Sequence, residues 1–374
     1  MNDHPSATAR AGSSRKKPAL RAAAIAGAAA LTLALLLLLQ ALLLPKYPYA
    51  SFDEASAAGV EYGGGMMREY YGAKEAHDVL LLGDCEFFEG ISTVELWREY
   101  GISSYLRGSP QQLIWQSYYI LLDTLKHETP KAVVFNAMEM KIGEAQSEAY
   151  THLTLDGVRS PRYRLAAARV SLTEEELDAG RTTALAGYLF PLVRYHSRWQ
   201  EIGGKDFRYL FGTPAVTFNG YLMMTDTSEA EPPLIPPINT QPELPAICFE
   251  YLDKIRALCE EKGIDFLLFK APTQSRRYYW FDEWEAALDE YCAENDVLYV
   301  NGIEHRDEIG LDMALDSYDR GVHLNVNGAE KTADFLGKIL KENFDLPDRR
   351  TDEREAAVWA EIEKRYDAAK NARK

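Results

Sequence analysis

The sequence "VLLLGDCEFF", residues 79–88, decides the fold class, because it joins an apolar run of strand length to a tight turn. Apolar runs of the same kind recur in "KAVVFNAME" from residue 131, "IDFLLFKA" from residue 264 and "VLYVNG" from residue 297. Amphipathic helical patterns separate these runs, and no hairpin signal joins them. The alternation predicts an α/β protein whose strands form a parallel sheet with crossover helices.

A long apolar segment precedes this region. Residues 22–44 contain no charged side chain and would span roughly 35 Å as a helix, which is enough to cross a bilayer. The basic flank in residues 1–21, with a charge of about +4, predicts a cytoplasmic N-terminus and an extracytoplasmic domain in a single-pass cell-membrane protein. A cleavable signal peptide is the alternative, since "PYA" ending at Ala50 offers a weak cleavage site.

Composition excludes one class of partner. The chain carries a formal net charge of −16, and the part after residue 21 has 36 Lys and Arg against 56 Asp and Glu, or about −20. Such a field repels phosphate backbones, so we expect no nucleic acid partner.

The pattern also predicts the organisation of the chain. Between the two α/β stretches lies an apparent insertion, which ends in "DTSEAEPPLIPPINTQPELP", a proline-rich surface loop. The last segment has apolar residues at helical spacing, which favours a helix docked on the domain over a partner-binding arm. The predicted parts are a cytoplasmic tail (1–21), an anchor (22–44), a stem (45–77), an α/β domain (78–345, with the insertion at 142–245) and a charged helical tail (346–374).

Four cysteines occur, without the CxxC spacing of a metal site. Cys248 and Cys259 fall on one predicted helix, too far apart for a mutual bridge, whereas a bridge from Cys292 to either stays open beside the alternative of buried thiols. Cys85 differs from these three because it follows the first strand. Active groups of α/β proteins lie at the carboxyl ends of strands.

Two blocks of the sequence resemble the SGNH/GDSL hydrolase superfamily. "LLGDCEFF" matches the family's strand followed by G-D-S, with Cys85 in the place of the serine nucleophile. "DSYDRGVHLNVNGAEK" matches the block in which an aspartate shortly precedes a histidine and a helix, here Asp319 and His323. The wording of residues ~75 to 345 is also similar to membrane-anchored SGNH-like proteins of Gram-positive gut bacteria.

The resemblance implies a fold and a site. The implied fold is α/β, a three-layer flavodoxin-like parallel sheet with an inserted region, preceded by one transmembrane helix. The implied site has Cys85 as nucleophile, His323 as base and Asp319 as its orienting acid. Because the family spacing is D-x-x-H, Asp316 is the alternative acid. Gly108 in "LRGSP" and Asn136 in "VVFNAM" are the nearest counterparts of the oxyanion hole.

Such residues would support acyl transfer through a thioester. The predicted function is therefore an extracytoplasmic acyl esterase or O-acyltransferase, acting on a cell-envelope glycan or another acylated small substrate and requiring no cofactor. A membrane acyl-donor protein would be a further partner of a transferase. The alternative is a catalytically inactive binding or scaffold protein for envelope polymer assembly, which kept the fold after losing serine.

Two other clusters are weaker candidates. In "RYHSRW", Arg194 and Arg198 are four residues apart and could clamp an anionic substrate together with His196, although a solvated helix face fits the pattern as well. Asp84, Glu86 and Glu89 have no second cluster at ligand spacing, so no metal site is expected.

Overall fold

The computed structural model describes residues 16–44, 64–145, 147–212, 215–228, 242–274 and 280–372. Its sheet has five strands: β1 (Val79–Gly83), β2 (Ser104–Gly108), β3 (Ala132–Asn136), β4 (Asp265–Lys270) and β5 (Leu298–Asn301). All pair in parallel, in the order β2-β1-β3-β4-β5. This is the flavodoxin-like doubly wound order, and it confirms the predicted fold class.

The described parts of the chain also contain helices. They are α1 (Lys16–Leu43), α2 (Gly65–Glu69), α3 (Cys85–Phe88), α4 (Thr93–Tyr100), α5 (Ile114–Thr124), α6 (Glu148–Leu155), α7 (Pro161–Val170), α8 (Glu174–Leu189), α9 (Pro191–Tyr195), α10 (Gly204–Tyr209), α11 (Ala246–Lys262), α12 (Phe281–Asn295), α13 (Arg306–Ile309), α14 (Val326–Asn343) and α15 (Glu353–Ala372). Short 3-10 turns follow α2, β3 and α9 and precede α15.

Strand β1 is apolar along its whole length, and β3 up to Asn136, because both faces of the sheet are buried there. Leu80 and Leu82 of β1 belong to a core with residues of α5, α11 and α12. Val79 and Leu81 point to the opposite face, into a core with α4 and α14. The register aligns Val79 with Ser104 on one side and with Ala132 on the other, so the carboxyl ends of β1, β2 and β3 lie together.

All four cysteines are free thiols. Cys248, Cys259 and Cys292 are buried in the core that faces α11 and α12. The structure therefore contains no bridge from Cys292, and these three thiols serve as small apolar side chains.

Residues 64–77, which the sequence placed in the stem, pack on the α/β unit. Met67 and Tyr70 are buried, and Gly64 starts α2 in the left-handed region with φ 67°. A Cβ on Gly64 would overlap the backbone of Gly157, so this position requires glycine. The remainder of the predicted stem lies outside the described residues.

The C-terminal helix α15 is docked, which is the favoured one of the two arrangements considered from its sequence. The indole of Trp359 stacks on that of Trp97 in α4, with centroids 4.9 Å apart. Tyr366 is also fully buried in this cluster.

The chain divides into two compact units. One comprises residues 1–45 and 190–212, and the other comprises residues 46–189 and 213–374. In the first, Ala19–Leu43 is the described helix that is long and apolar enough to cross a membrane, with a mean hydropathy of 2.5. The predicted insertion thus contributes helices to both units, and its proline-rich loop falls mainly on residues 229–241, outside the described residues.

Candidate active site

The turn after β1 presents Cys85. Asp84 caps the short helix α3, and its Oδ1 accepts a hydrogen bond from the N–H of Glu86 (3.0 Å). Cys85 is the first residue of that helix and is half-buried. Its N–H lies in the first turn, where backbone donors have no partner within the helix.

The loop before α14 presents His323. Arg320 and Gly321 both adopt positive φ, 69° and 87°, which folds the four-residue interval between Asp319 and His323 back on itself. The N–H of Gly321 donates to Ser317 Oγ (2.7 Å), and its carbonyl accepts from the N–H of Gln274 after β4 (2.7 Å). The loop is thereby fixed to the carboxyl edge of the sheet.

These two segments, 238 residues apart, form a nucleophile–base–acid arrangement. His323 Nε2 lies 3.0 Å from Cys85 Sγ, and His323 Nδ1 lies 2.6 Å from Asp319 Oδ2. Asp319 Oδ1 also accepts from the N–H of His323 (2.6 Å). Asp316, the alternative acid, instead accepts from the N–H of Asp312 (2.8 Å) and from Lys331 Nζ (2.6 Å). Asp319 is therefore the acid that contacts the imidazole, despite its unusual spacing.

A second carboxylate faces the same imidazole. Glu89 Oε2 is 4.0 Å from His323 Nδ1 and accepts a hydrogen bond from the Tyr318 hydroxyl (2.7 Å). The Tyr318 ring stacks on His323, with centroids 6.0 Å apart and an interplanar angle of 15°. In the sequence, Glu89 stands out only as a potential metal ligand. The signal that could have found it is its spacing of four from Cys85, which places both on one side of a helical turn.

The electrostatics hold the Cys85 sulfur as a neutral thiol at rest. Burial raises the pKa of Cys85 to about 12; the charge and hydrogen bond of His323 oppose this rise, and the charges of Asp84 and Glu89 add to it. Burial lowers the pKa of His323, but the Cys85 sulfur, the hydrogen bond to Asp319 and the charge of Glu89 raise it well above its ordinary value. The sulfur is thus a neutral thiol near pH 7 and would need its proton removed as it attacks.

Gly108 and Asn136 end the strands on either side of β1. Gly108 is opposite Gly83, and a Cβ on Gly108 would lie 2.6 Å from the Gly83 carbonyl oxygen, so the strands approach closely there. Asn136 Nδ2 donates to Asp84 Oδ1 (2.8 Å), and Asn136 Oδ1 accepts from the N–H of Met138 (3.1 Å). An amide nitrogen has two hydrogens, so this bond still leaves one donor. Their oxyanion role stays a prediction.

The acidic residues around Cys85 are engaged individually. Asp84 binds Asn136, Glu89 binds Tyr318, and Glu86 Oε2 accepts from the buried Lys270 Nζ (2.6 Å). Burial, followed by the charge of Glu86, raises the pKa of Asp84 to about 7. These partners give each carboxylate a structural role.

Elsewhere in the described chain, Glu148, His152 and Glu176 bring ligand-type atoms within 4.8 Å of one another. Asp156 Oδ1 contacts His152 Nδ1 (2.9 Å). Glu176 Oε1 accepts a hydrogen bond from the Tyr188 hydroxyl (3.1 Å), and Glu176 Oε2 accepts one from the N–H of Thr173, just before α8 (3.0 Å). One oxygen of Glu176 thus accepts at the start of α8, and the other holds the hydroxyl of Tyr188. We therefore assign no metal here.

Arg194, His196 and Arg198 belong to the other unit. Arg198 is buried, and its guanidinium donates to Asp206 (2.6 Å). Arg194 lies over the Tyr195 ring (5.5 Å), and His196 is exposed with Nδ1 3.1 Å from the Val193 carbonyl oxygen. Arg194 and Arg198 therefore point to different partners, the Tyr195 ring and the Asp206 carboxylate.

No protein-family model and no curated protein sequence matches this chain. Similar solved structures include a candidate acylhydrolase from Bacteroides fragilis, at 10% identity with a TM-score of 0.36, covering 74% of this chain and 94% of that protein. A GDSL-like lipase from Bacteroides thetaiotaomicron is similar at 11% identity with a TM-score of 0.32, covering 73% of this chain and 94% of that protein. These likenesses concern the fold, and the assignment of function depends on the geometry around Cys85.

Proposed function

We propose that this protein is a membrane-anchored acyl-transfer enzyme, an esterase or O-acyltransferase, whose nucleophile is Cys85. The observation that carries the proposal is the pair of contacts to one imidazole, Cys85 Sγ at Nε2 (3.0 Å) and Asp319 at Nδ1 (2.6 Å). A base bonded to the nucleophile and oriented by an acid is the arrangement that activates a thiol or hydroxyl.

The chemistry has two halves. Cys85 Sγ attacks the ester carbonyl carbon while His323 Nε2, in the neutral form that predominates above its raised pKa, takes the thiol proton, and the C=O electrons move to the oxygen. When this intermediate collapses, the C–O bond breaks, the leaving alkoxide takes the proton from His323, and a thioester remains on Cys85. Water or a sugar hydroxyl then attacks the thioester with His323 again as base, giving a carboxylic acid or a new ester and regenerating the thiol.

The oxyanion of each intermediate would be held by the N–H of Cys85, the N–H of Gly108 and the amide of Asn136. Each aligned donor is worth roughly 3 kcal/mol of transition-state stabilisation. Asn136 is already oriented by Asp84, so its amide is fixed beside the nucleophile's own turn. Asp319 would hold the tautomer and stabilise the imidazolium that forms.

The proposed substrate is an acylated cell-envelope glycan, with acetyl as the expected group. This choice is supported by the superfamily resemblance and by the proposed location, in which α1 anchors the protein and the basic N-terminal flank keeps its amino terminus in the cytoplasm.

A catalytically inactive binding protein is the second candidate. The observation that favours it is the raised pKa of Cys85, which makes the thiol a poor nucleophile at neutral pH unless His323 removes its proton.

One assay separates the two. The full chain in detergent and its Cys85→Ser, Cys85→Ala and His323→Ala variants are compared for hydrolysis of an aryl acetate. The enzyme proposal predicts activity in the native chain and its loss in the two alanine variants. Activity confined to Cys85→Ser would identify a disabled hydrolase, and inactivity of all four proteins would reject the enzyme proposal.

A further inference from the structure

The unit formed by α1 and residues 190–212 has its own internal bonding. The Arg198 guanidinium donates to the main-chain oxygens of Leu42 (3.3 Å) and Leu43 (2.8 Å), the last residues of α1. The final carbonyls of a helix have no partner within the helix and form the negative end of its dipole. Arg198 therefore caps α1 with a side chain from 155 residues downstream.

The cap is held by a buried ion pair. Arg198 also donates to Asp206 Oδ1 (2.6 Å), and Asp206 Oδ2 accepts from the N–H of Gly203 (2.9 Å). Arg198 and Asp206 are both buried. Residues 190–212 are thus fastened at the point where the apolar helix ends, which is where a membrane span would meet the headgroups.

This segment exposes large aromatic side chains. Phe190 is 51% exposed, Trp199 65%, Phe207 53% and Phe211 94%. Several exposed aromatic residues within 22 positions are unusual for a surface bathed in water. Tryptophan is instead enriched where a bilayer meets water, and tryptophan and phenylalanine form the apolar side of segments that lie in that interface.

Charge agrees with this location. Within a chain of net charge −16, residues 190–212 contain four arginines and lysines against two acids. A basic segment is attracted to anionic headgroups, at about 1 kcal/mol per basic residue near the surface.

We infer that residues 190–212 form an interfacial clasp, which inserts Phe190, Trp199, Phe207 and Phe211 into the headgroup–acyl boundary of the bilayer that α1 spans. The partner is an anionic phospholipid surface. The inference rests on the proposed anchor and is independent of the chemistry at Cys85. In this proposal the segment "RYHSRW" contacts lipid and does not clamp an anionic substrate. The buried Arg198 joins the clasp to the end of α1.

Tryptophan fluorescence tests the inference. The full chain is reconstituted in phosphatidylcholine–phosphatidylglycerol vesicles containing lipids brominated either near the headgroup or near the bilayer centre. Trp97, Trp115, Trp284 and Trp359 are buried, so Trp199 should supply most of the emission quenched by shallow bromines. Trp199→Phe should lose most of that quenching, while Trp280→Phe, a matched change of a half-buried tryptophan, should retain it.

Equal quenching in the native chain and in Trp199→Phe would overturn the inference, as would stronger quenching by the deep bromines. Emission that is insensitive to lipid but changes with protein concentration in micelles would indicate that these aromatic residues contact a second copy of the chain. That result would also overturn the inference.

Alkaline carbonate extraction distinguishes a wrong prediction for residues 190–212 from a wrong prediction for the anchor α1. The native chain and a Phe207→Ser/Phe211→Ser variant should both stay in the membrane pellet, and the variant alone should lose shallow quenching. Extraction of the native chain would overturn the anchor and the clasp together, and would leave the aryl acetate assay to decide the role of Cys85.

Discussion

Two histidine clusters in this protein are built alike and differ in one partner. In each, an aspartate four residues away contacts Nδ1, at 2.6 Å for His323 and 2.9 Å for His152. In each, a tyrosine ring stacks on the imidazole and its hydroxyl donates to a glutamate, Tyr318 to Glu89 and Tyr188 to Glu176.

The difference lies at Nε2. His323 Nε2 contacts the Cys85 sulfur at 3.0 Å, whereas His152 Nε2 lies 3.8 Å from the Glu148 carboxylate. An acid–imidazole pair with a stacked ring is therefore a way to fix a histidine, and does not by itself indicate catalysis. What makes the first cluster a candidate active site is a nucleophile on the second nitrogen.

The largest expected effect comes from removing that nucleophile or its base. Cys85→Ala should reduce acyl transfer to background, a fall of about 10⁴-fold or more, and His323→Ala should cost about 10²- to 10⁴-fold. His152→Ala is the matched control and should keep activity within about twofold while lowering the melting temperature. Initial rates with an aryl acetate check both; an equal loss of activity from His152→Ala would remove the distinction between the clusters.

The aspartates that contact the two imidazoles should differ in the same way, because only Asp319 belongs to the cluster that contains Cys85. Asp319→Asn leaves the imidazole without its orienting carboxylate, so kcat should fall by about 10²- to 10⁴-fold with a small change in KM. Asp156→Asn changes the equivalent bond of His152 and should leave kcat unaltered. Retention of full activity by Asp319→Asn would mean that another acid, such as Glu89, orients His323.

A third histidine, His77, is predicted to affect the stability of the fold and its dependence on pH. Burial lowers the pKa of His77, but hydrogen bonds and charges from Glu128 and Glu75 raise it to about 9. Because this exceeds the unfolded value of about 6.5, the stabilisation is complete below pH 6.5 and is lost as pH rises through 9.

The loss should amount to about 3 kcal/mol at most, measured as the unfolding free energy in urea between about pH 6 and about pH 10. His77→Gln should flatten this part of the stability profile. An unchanged profile in His77→Gln would show that other groups cause the pH dependence.

The smallest effect is expected at Glu89. Its carboxylate stabilises the imidazolium of His323, so Glu89→Gln should lower the pKa of His323. The rise of kcat/KM with pH should therefore move to lower pH, and the rate itself should change by less than about tenfold. Burial raises the pKa of Glu89 itself to about 7, so the difference should be clearest above that pH. Glu176→Gln is the control, and an unmoved rise of kcat/KM in Glu89→Gln would assign Glu89 a packing role only.

Sequence patterns predicted the elements whose signals are local. The apolar runs at residues 79–83, 132–136, 265–270 and 298–301 are strands as expected, because strands buried on both faces of a parallel sheet are continuously apolar. Strand β2 is less typical, since it buries Arg107. Arg107 Nη1 donates to Thr124 (2.8 Å) and Asp123 (3.3 Å), and no local pattern reveals these contacts.

The candidate site was predictable where it followed a motif. The motif located Cys85, Asp319 and His323, and the positive φ values at Arg320 and Gly321 explain how the longer spacing still reaches the imidazole. Glu89 was missed because its role depends on Tyr318, which comes from a loop 229 residues away. The contact of Arg198 with the end of α1 was missed for the same reason, since a long-range side-chain bond leaves no periodic signal.

Whether Cys85 carries the acyl group is tested most directly by the mass of the intact chain after brief reaction with an aryl acetate. We expect one acetyl adduct that maps to Cys85, is absent from Cys85→Ala and decays as product forms. A native chain that gives neither adduct nor turnover, while Cys85→Ser hydrolyses the ester, would show that the thiol occupies the position of a nucleophile without acting as one.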